Sequence, residues 1–396
     1  MAGWPQGTSP RKCVETVRGP LTYLIDMQPP NAGLIGKRGS LSELMTPALV
    51  LDLDAFEQNI SAYQQLINAH GLKGRPHAKS HKCAEIARRQ IAAGSVGIST
   101  ATLHEAETLA EKGITDILIT SPIVGLAKRE RLFKLLERGV VLTIVVDNPE
   151  QVPSPSAGHI LNVLIDIDLG MGRTGVRDVD SALRLVDTAS NTKGLSWRGL
   201  QAYSGKVQHI ADFSERSTIY SAQLHLLSDL IAALDKRGLK PPVVSGGGTG
   251  TLAIDCREAI LTEQQAGSYI FMDVEYNAVT LGGSGAFATS LFVHSTVVSN
   301  NVPGQATIDA GLKSFATDGP LPKVSGGAPA GTTYGFFGDE HGLLTFPEVT
   351  YQLPVGSTVR IETPHCDPTV NLHDYLHIAQ RDTLIDIWRI DGRGVL

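Results

Sequence analysis

Cysteine is scarce: Cys13, Cys83, Cys256 and Cys366 are the four in 396 residues. Their wide spacing excludes a CxxC motif and a disulfide framework, and it suits a reducing compartment. Runs of like charge are missing too. Lys and Arg number 34, Asp and Glu 40, and the net charge of −6 is spread along the chain. Counterion release, which drives nucleic-acid binding, then has no basic patch to act through, and no nucleic-acid partner is expected. No apolar run is long enough to span a bilayer and no signal peptide stands out, so no membrane partner is expected and the chain reads as cytoplasmic. What remains is 42% hydrophobic and 19% charged, with length enough for a large core and more than one domain.

The segment "LVLDLDAFEQNISAYQQLINAHG" reads as a strand and then a helix. Asp54 and Glu57 form a capping pair, Phe56, Ile60, Tyr63 and Ile67 share an apolar face, and Gly71 ends the helix. Short β-rich runs then alternate with helical patterns, several of them closed by Gly94, Gly113, Gly139 and Gly238. The candidate strands are "GRPHAK", "VGIST", "DILITS", "LTIVVD", "NVLIDID", "WRGLQAY", "PVVSGGG" and "AGSYIF". Eight β-then-α units between about Gly74 and Asp273 predict an α/β fold, a (β/α)8 barrel. From about Leu291 the runs become strand-like, with Gly and Pro punctuation and no long amphipathic helix. The expected division is an N-terminal segment 1–41, partly joining the β domain, a barrel over 42–285, and a mainly β domain over 286–396.

Within the first candidate strand, "RPHAKSHKC" crowds basic side chains together. Alternation puts Arg75, His77 and Lys79 on one face. If that face is the barrel interior, Lys79 sits near the carboxyl end of the strand, where barrel active sites lie. Desolvation and neighbouring cations would lower its pKa and favour the neutral amine that forms a Schiff base. An isolated R-x-H-x-K also reads as a solvated basic turn. Lys82 reads as a surface lysine on the following helix, and His81 is left open.

Two further places bear on this choice. "VVSGGGTGT" ends the seventh strand and "AGSYIF" opens the eighth, positions where barrels present backbone N–H groups to phosphate. Gly246, Gly247, Gly248, Thr249, Gly267 and Ser268 are the candidates, although glycines also permit tight turns without a ligand. A lysine together with a phosphate cradle is what pyridoxal phosphate requires. Near the far end, "TPHCDPTVNLHD" carries His365 and Asp367. In an extended segment these point one way and Cys366 the other, giving a divalent ion one nitrogen and one oxygen ligand with open positions for water and substrate. The same residues also read as a polar turn before Pro368.

Taken together, "TPALVLDLDAFEQNI", "RPHAKSHKC", "GMGRTGV", "GLQAYSGKVQH", "VSGGGTGT", "GSYIFMD", "DAGLKS", "DEHG" and "PHCDPTVNLHD" resemble the D-threonine aldolase and D-serine dehydratase family. These are fold-type III pyridoxal-phosphate enzymes with an alanine-racemase-like barrel and a C-terminal β domain. The resemblance implies that Lys79 carries the cofactor, that Arg173 faces its pyridine nitrogen and that Tyr203 lies close by. His77, Gly247, Gly248, Thr249, Gly267, Ser268 and Tyr269 complete the implied cofactor site. It implies a divalent metal (Mn, Mg, Co or Zn) on His365 and Asp367 beside the substrate's β-hydroxyl, with His209 as a base. The implied substrate is a 3-hydroxy D-amino acid, cleaved to glycine and an aldehyde, and the implied assembly is a homodimer. Dehydration to a 2-oxo acid and ammonia is the alternative within the family. His-x-Asp matches the aldolase branch, whereas "STATLHEAE" lacks the Cys-Gln-Lys run of the bacterial aldolases and stands closer to the dehydratases. A non-catalytic pyridoxal-phosphate-binding barrel would lack the β domain, and an alanine racemase has no use for the HxD pair.

Overall fold

A computed structural model describes residues 28–155, 158–282 and 287–394. Most of the expected N-terminal segment, Cys13 and the expected boundary at 285–286 lie outside the described residues. The first elements are β1 (Ala48–Asp52) and α1 (Leu53–Ala69). Phe56, Ile60, Tyr63 and Ile67 are all buried. The cap differs from the expectation: strand runs into helix without a linker, so Asp52 is the cap, and its carboxylate accepts the Ala55 N–H at 3.1 Å. Asp54 lies in the first turn and accepts from the Gln380 amide.

Eight parallel strands follow: β2 (Lys73–Gly74), β3 (Ile98–Thr100), β4 (Asp116–Ile119), β5 (Val141–Val146), β6 (Leu161–Asp168), β7 (Leu195–Tyr203), β8 (Val243–Gly246) and β9 (Glu263–Gln264). They form one sheet in the order β2-β9-β8-β7-β6-β5-β4-β3. Its two ends are joined by the Val96 N–H to the Gly74 carbonyl at 2.8 Å and the Ser99 N–H to the Pro76 carbonyl at 2.9 Å. The sheet thus curls into a barrel. Its helices are α2 (Ala84–Ala92), α3 (Leu103–Glu111), α4 (Leu126–Glu137), α5 (Val179–Asn191), α6 (Phe213–Asp235), α7 (Leu252–Glu258) and α8 (Val274–Asn277). One expected unit differs. Between β5 and β6, where Pro149, Pro153 and Pro155 interrupt the chain, the described residues form a 3-10 turn and no α-helix.

The first and last expected strands need correction. The chain is paired as a strand only at Lys73–Gly74, stays extended to a parallel bridge between His77 and Ser99, and then tightens into a 3-10 turn, Ala78–Ser80, that carries Lys79. "AGSYIF" is likewise not a strand, since Ser268–Ile270 is a 3-10 turn. The eighth strand is Glu263–Gln264, whose buried side chains are polar: Glu263 meets Arg75 at 2.9 Å and Gln264 donates to Asp255 at 2.8 Å.

The second sheet contains β10 (Leu291–Ser299), β11 (Gln305–Ile308), β12 (Lys323–Gly326), β13 (Thr333–Phe336), β14 (Gly342–Thr345), β15 (Thr358–Glu362), β16 (Tyr375–Gln380) and β17 (Thr383–Arg389), with a short helix α9 (Cys366–Asn371) before β16. Its ninth member is β1, hydrogen-bonded between β10 and β16. Residues 48–52, expected at the head of the barrel domain, therefore belong to the β sheet. Alternation explains the fit: Leu49 and Leu51 enter the main core, while Ala48 and Val50 pack on Leu44, Ala379 and Leu384. Leu34 and Leu41 pack against that smaller cluster, so the described part of the N-terminal segment touches the β domain. Among the described residues no helix is long and apolar enough to cross a membrane.

Candidate active site

The turns that leave the carboxyl ends of the barrel strands surround a cavity of about 270 Å³. His77 and Lys79 follow β2, Tyr203 ends β7, Gly247, Gly248 and Thr249 follow β8, and Gly267 and Ser268 follow β9; all line it, as does Arg173 from the loop after β6. Tyr269 is different. Its side chain is wholly buried, stacks on Tyr63 with centroids 4.1 Å apart, and its hydroxyl accepts from Gln90 at 3.1 Å, so it packs the core behind the cavity. Gly246 lies within β8, where a Cβ would come within 1.9 Å of the Ala202 carbonyl oxygen; it serves strand packing.

The electrostatics of Lys79 reverse the expectation. Its ammonium donates to Asp367 Oδ2 at 2.7 Å, and this carboxylate, against the opposing effect of burial, holds the lysine pKa above its ordinary value. Burial opposes ionisation of Asp367, but Lys79 and then His365 override it and keep the carboxyl below the usual range. Arg75 adds no cationic field here, because Asp116 at 2.6 Å and Glu263 at 2.9 Å neutralise it. His77 is pushed down to about 3, first by burial and then by Lys79. Its tautomer follows from its partners: Nδ1 accepts the Lys79 N–H at 3.3 Å, and Nε2 faces a Thr120 hydroxyl already donating to the Thr100 carbonyl, so Nε2 carries the proton. His81 is buried, with its Nδ1 accepting the Cys83 N–H at 3.0 Å, and burial pushes it down to about 3. It does not line the cavity.

The cradle residues fit pyridoxal phosphate. Gly247 has φ 71°, and a Cβ there would lie 2.3 Å from Asp255 Oδ2; one on Gly248 would lie 2.5 Å from Gln208 Oε1. Only glycine lets the backbone pass here, and the Gly248 N–H is held by the Thr251 hydroxyl at 3.0 Å. Beside them the Thr249 hydroxyl is buried, lines the cavity and has no hydrogen-bond partner, which is the donor a phosphate oxygen would satisfy. Across the cavity the Arg173 guanidinium stands 5.8 Å from the Tyr203 ring. Sequence reasoning missed Gln201 and Gln265 at the cavity floor. Gln201 Nε2 donates to Asp166 at 3.0 Å and to the Thr120 carbonyl at 3.1 Å, and Gln265 Nε2 donates to Ser245 at 2.9 Å. Burial pushes Asp166 up to about 6. A polar residue inside an otherwise apolar barrel strand, as in "GLQAY", is the signal that could have found Gln201.

The HxD pair is not arranged as expected. His365 is extended (φ −141°), but α9 begins at Cys366, so strand alternation does not govern the pair. Cys366 is fully buried, its N–H donates to Asp273 at 2.8 Å, and its thiol lies 3.3 Å from Asp367 Oδ1. His365 Nδ1 is 3.0 Å from Asp318 and 4.0 Å from Glu275, while His209 Nδ1 is 3.2 Å from the other oxygen of Glu275. Asp318 and Glu275 were not anticipated, and nothing in "ATDGP" marks the former. Among the described residues no three His, Cys, Asp or Glu side chains form a set able to hold a metal. An imidazole and a carboxylate are, in kind, the donors of an open divalent site, here engaged by Asp318 and Lys79.

Residues 51–275 match the alanine racemase N-terminal domain, and residues 290–379 match the putative serine dehydratase domain. The chain is 38% identical over 359 residues to a D-threonine aldolase from an Arthrobacter species, covering 89% of this chain and 94% of that protein. It is 34% identical over 364 residues to the 3-hydroxy-D-aspartate aldolase of Paracoccus denitrificans, covering 89% and 93%. Among solved structures, D-threonine aldolase from Filomicrobium marinum superposes with a TM-score of 0.86 at 37% identity, over 89% of this chain and 97% of that one.

Proposed function

The chain belongs to the alanine racemase N-terminal domain family, and from that premise we propose that it is a pyridoxal-phosphate-dependent lyase cleaving 3-hydroxy D-amino acids to glycine and an aldehyde. The observation that carries this reading is the meeting of Lys79 with Asp367 at 2.7 Å, on the rim where His209 and His365 share Glu275. Lys79 and an anion cradle thereby face one cavity, and His209 stands behind its lining residue Tyr276, ring centroids 4.8 Å apart. Pyridoxal phosphate, when bound, supplies the electron sink for the breaking Cα–Cβ bond.

The chain's own residues divide the remaining work. Lys79 anchors the cofactor, while Gly247, Gly248, Thr249, Gly267 and Ser268 hold its phosphate. Arg173, permanently charged, faces the ring. His209 accepts the β-hydroxyl proton at Nε2, because the Glu275 carboxylate beside Nδ1 favours the tautomer protonated there. His365 and Asp367 are the donors proposed for a divalent ion, Mn, Mg, Co or Zn, whose chemistry when bound is to polarise the hydroxyl. A homodimer and a barrel and β-domain division near residue 285 are carried within the same proposal.

The match of residues 290–379 to the putative serine dehydratase domain keeps dehydration as the second reading. Incubation with D-threonine and Mn²⁺ separates the two. Acetaldehyde and glycine in equal amounts are expected; 2-oxobutanoate and ammonia instead would establish the dehydratase, and the absence of both product pairs would reject the lyase.

A further inference from the structure

Lys82 is not the surface lysine its sequence context predicts. It is 9% exposed and takes φ 49°, a left-handed conformation that a side-chain-bearing residue adopts only when its surroundings hold it there. Its N–H donates to the Ala78 carbonyl at 2.7 Å, closing the turn that carries Lys79. Its carbonyl accepts the Gly392 N–H at 2.9 Å. Its ammonium donates to Asn371 Oδ1 at 2.7 Å and to the Gly394 carbonyl at 2.9 Å, and stands 3.5 Å from buried Glu105.

These partners belong to three separate parts of the fold. Glu105 is in α3 of the barrel and accepts the N–H of Ala101, a residue lining the cavity, at 2.8 Å. Asn371 is the last residue of α9, the helix that carries Asp367. Gly394 belongs to the C-terminal segment, which returns to α9 through its own N–H to Asn371 Oδ1 at 3.0 Å. The same segment binds the barrel through Asp391, which accepts the Ala84 N–H at 2.9 Å. Two lysines three residues apart therefore grip the two ends of one six-residue helix: Lys79 holds Asp367 and Lys82 holds Asn371.

We propose that Lys82, with Asn371 and the C-terminal segment Asp391–Gly394, is a positioning clamp that fixes α9 of the β domain in the register that brings Asp367 to Lys79. A helix this short has little stability of its own. Its placement comes from tertiary contacts, and the clamp makes them at the end that the active site does not touch. Lys82 meets neither substrate nor cofactor and acts through Asn371.

The inference rests on the proposed site, so its test reads both position and turnover in the full-length chain. Asn371→Leu removes the acceptor shared by Lys82 and Gly394; Asn371→Asp keeps an oxygen for both. In Asn371→Leu, amide hydrogen exchange across residues 366–371 should quicken by about 10-fold while barrel strands keep their protection. Its kcat for D-threonine cleavage should fall by about 10–10²-fold with KM within about threefold. Asn371→Asp should restore both. Unchanged exchange in residues 366–371 overturns the clamp, as does exchange that quickens equally throughout the molecule. If Asn371→Leu fails to fold, Lys82→Met is judged by the same measurements. Should the parent show no aldehyde release, the lyase reading fails on its own account and the exchange comparison still decides the clamp.

Discussion

At the scale of single residues, the rim chemistry turns on Glu275, which lies 3.2 Å from His209 and 4.0 Å from His365. Burial lowers the His209 pKa, and Glu275 opposes that shift. Catalysis through neutral His209 then has a rate that falls at acid pH as the imidazole takes a proton. His209→Asn, which keeps a hydrogen-bond donor but no base, should lower kcat by about 10²–10⁴-fold with cofactor absorbance intact. Glu275→Gln removes the charge that raises the His209 pKa, so the acid limb of the pH–rate profile should move to lower pH. Near-normal turnover of His209→Asn, with an unmoved profile in Glu275→Gln, would assign His209 a structural role.

At the scale of elements, legibility followed apolar patterning. The near-continuous apolar runs in "LTIVVD" and "NVLIDID" predict strands, because inner and outer faces of a barrel strand are both buried, and β5 and β6 occupy them. The eighth strand is not legible, because its buried residues, Glu263 and Gln264, are polar and lack the apolar pattern of a strand; Glu263 finds its partner Arg75 far away in the chain. β1 was legible as a strand, but its sheet was not: four consecutive buried residues suit a barrel and a β domain equally. In "HCDP" the proline concealed a helix, although proline is tolerated in a first turn. The glycine turns, by contrast, were readable, because backbone geometry alone demands the residue. Gly247 makes this testable. At φ 71°, with an added Cβ only 2.3 Å from Asp255 Oδ2, it leaves no space for a methyl group, so Gly247→Ala should displace the turn after β8 and weaken pyridoxal phosphate binding at least ~10-fold. An absorbance titration measures it, and unchanged affinity would remove this turn from the phosphate site.

At the scale of the whole molecule, one continuous core joins the two sheets. Phe56 on α1 and Ile86 on the barrel helix α2 share it with Ile361 and Trp388 of the β domain. Buried titratable groups are distributed through both parts, and they act in opposite senses. Burial first of all pushes His77 and His81 down to about 3 and His294 down to about 4. Each binds protons more readily when unfolded, near pH ~6.5, so each contributes stability that is complete above that pH and lost as pH falls through the folded value. Asp255 is pushed up to about 7, and Asp166 and Asp273 to about 6, again chiefly by burial. Their protonated forms are favoured in the fold, so acidification returns stability through them over the same range. The two sets offset each other in the parent, and removing one member reveals it. His294 lies in the β sheet, far in the chain from the rim groups, with its Nδ1 buried and unpartnered. His294→Leu abolishes one acid-side loss, so moving from pH 7.5 to pH 5 should shift the stability difference by roughly 2 kcal/mol in the variant's favour. Urea unfolding of parent and variant at the two pH values measures this. A difference independent of pH would mean that His294 titrates in the fold as it does in the unfolded chain, with water reaching its ring through the sheet.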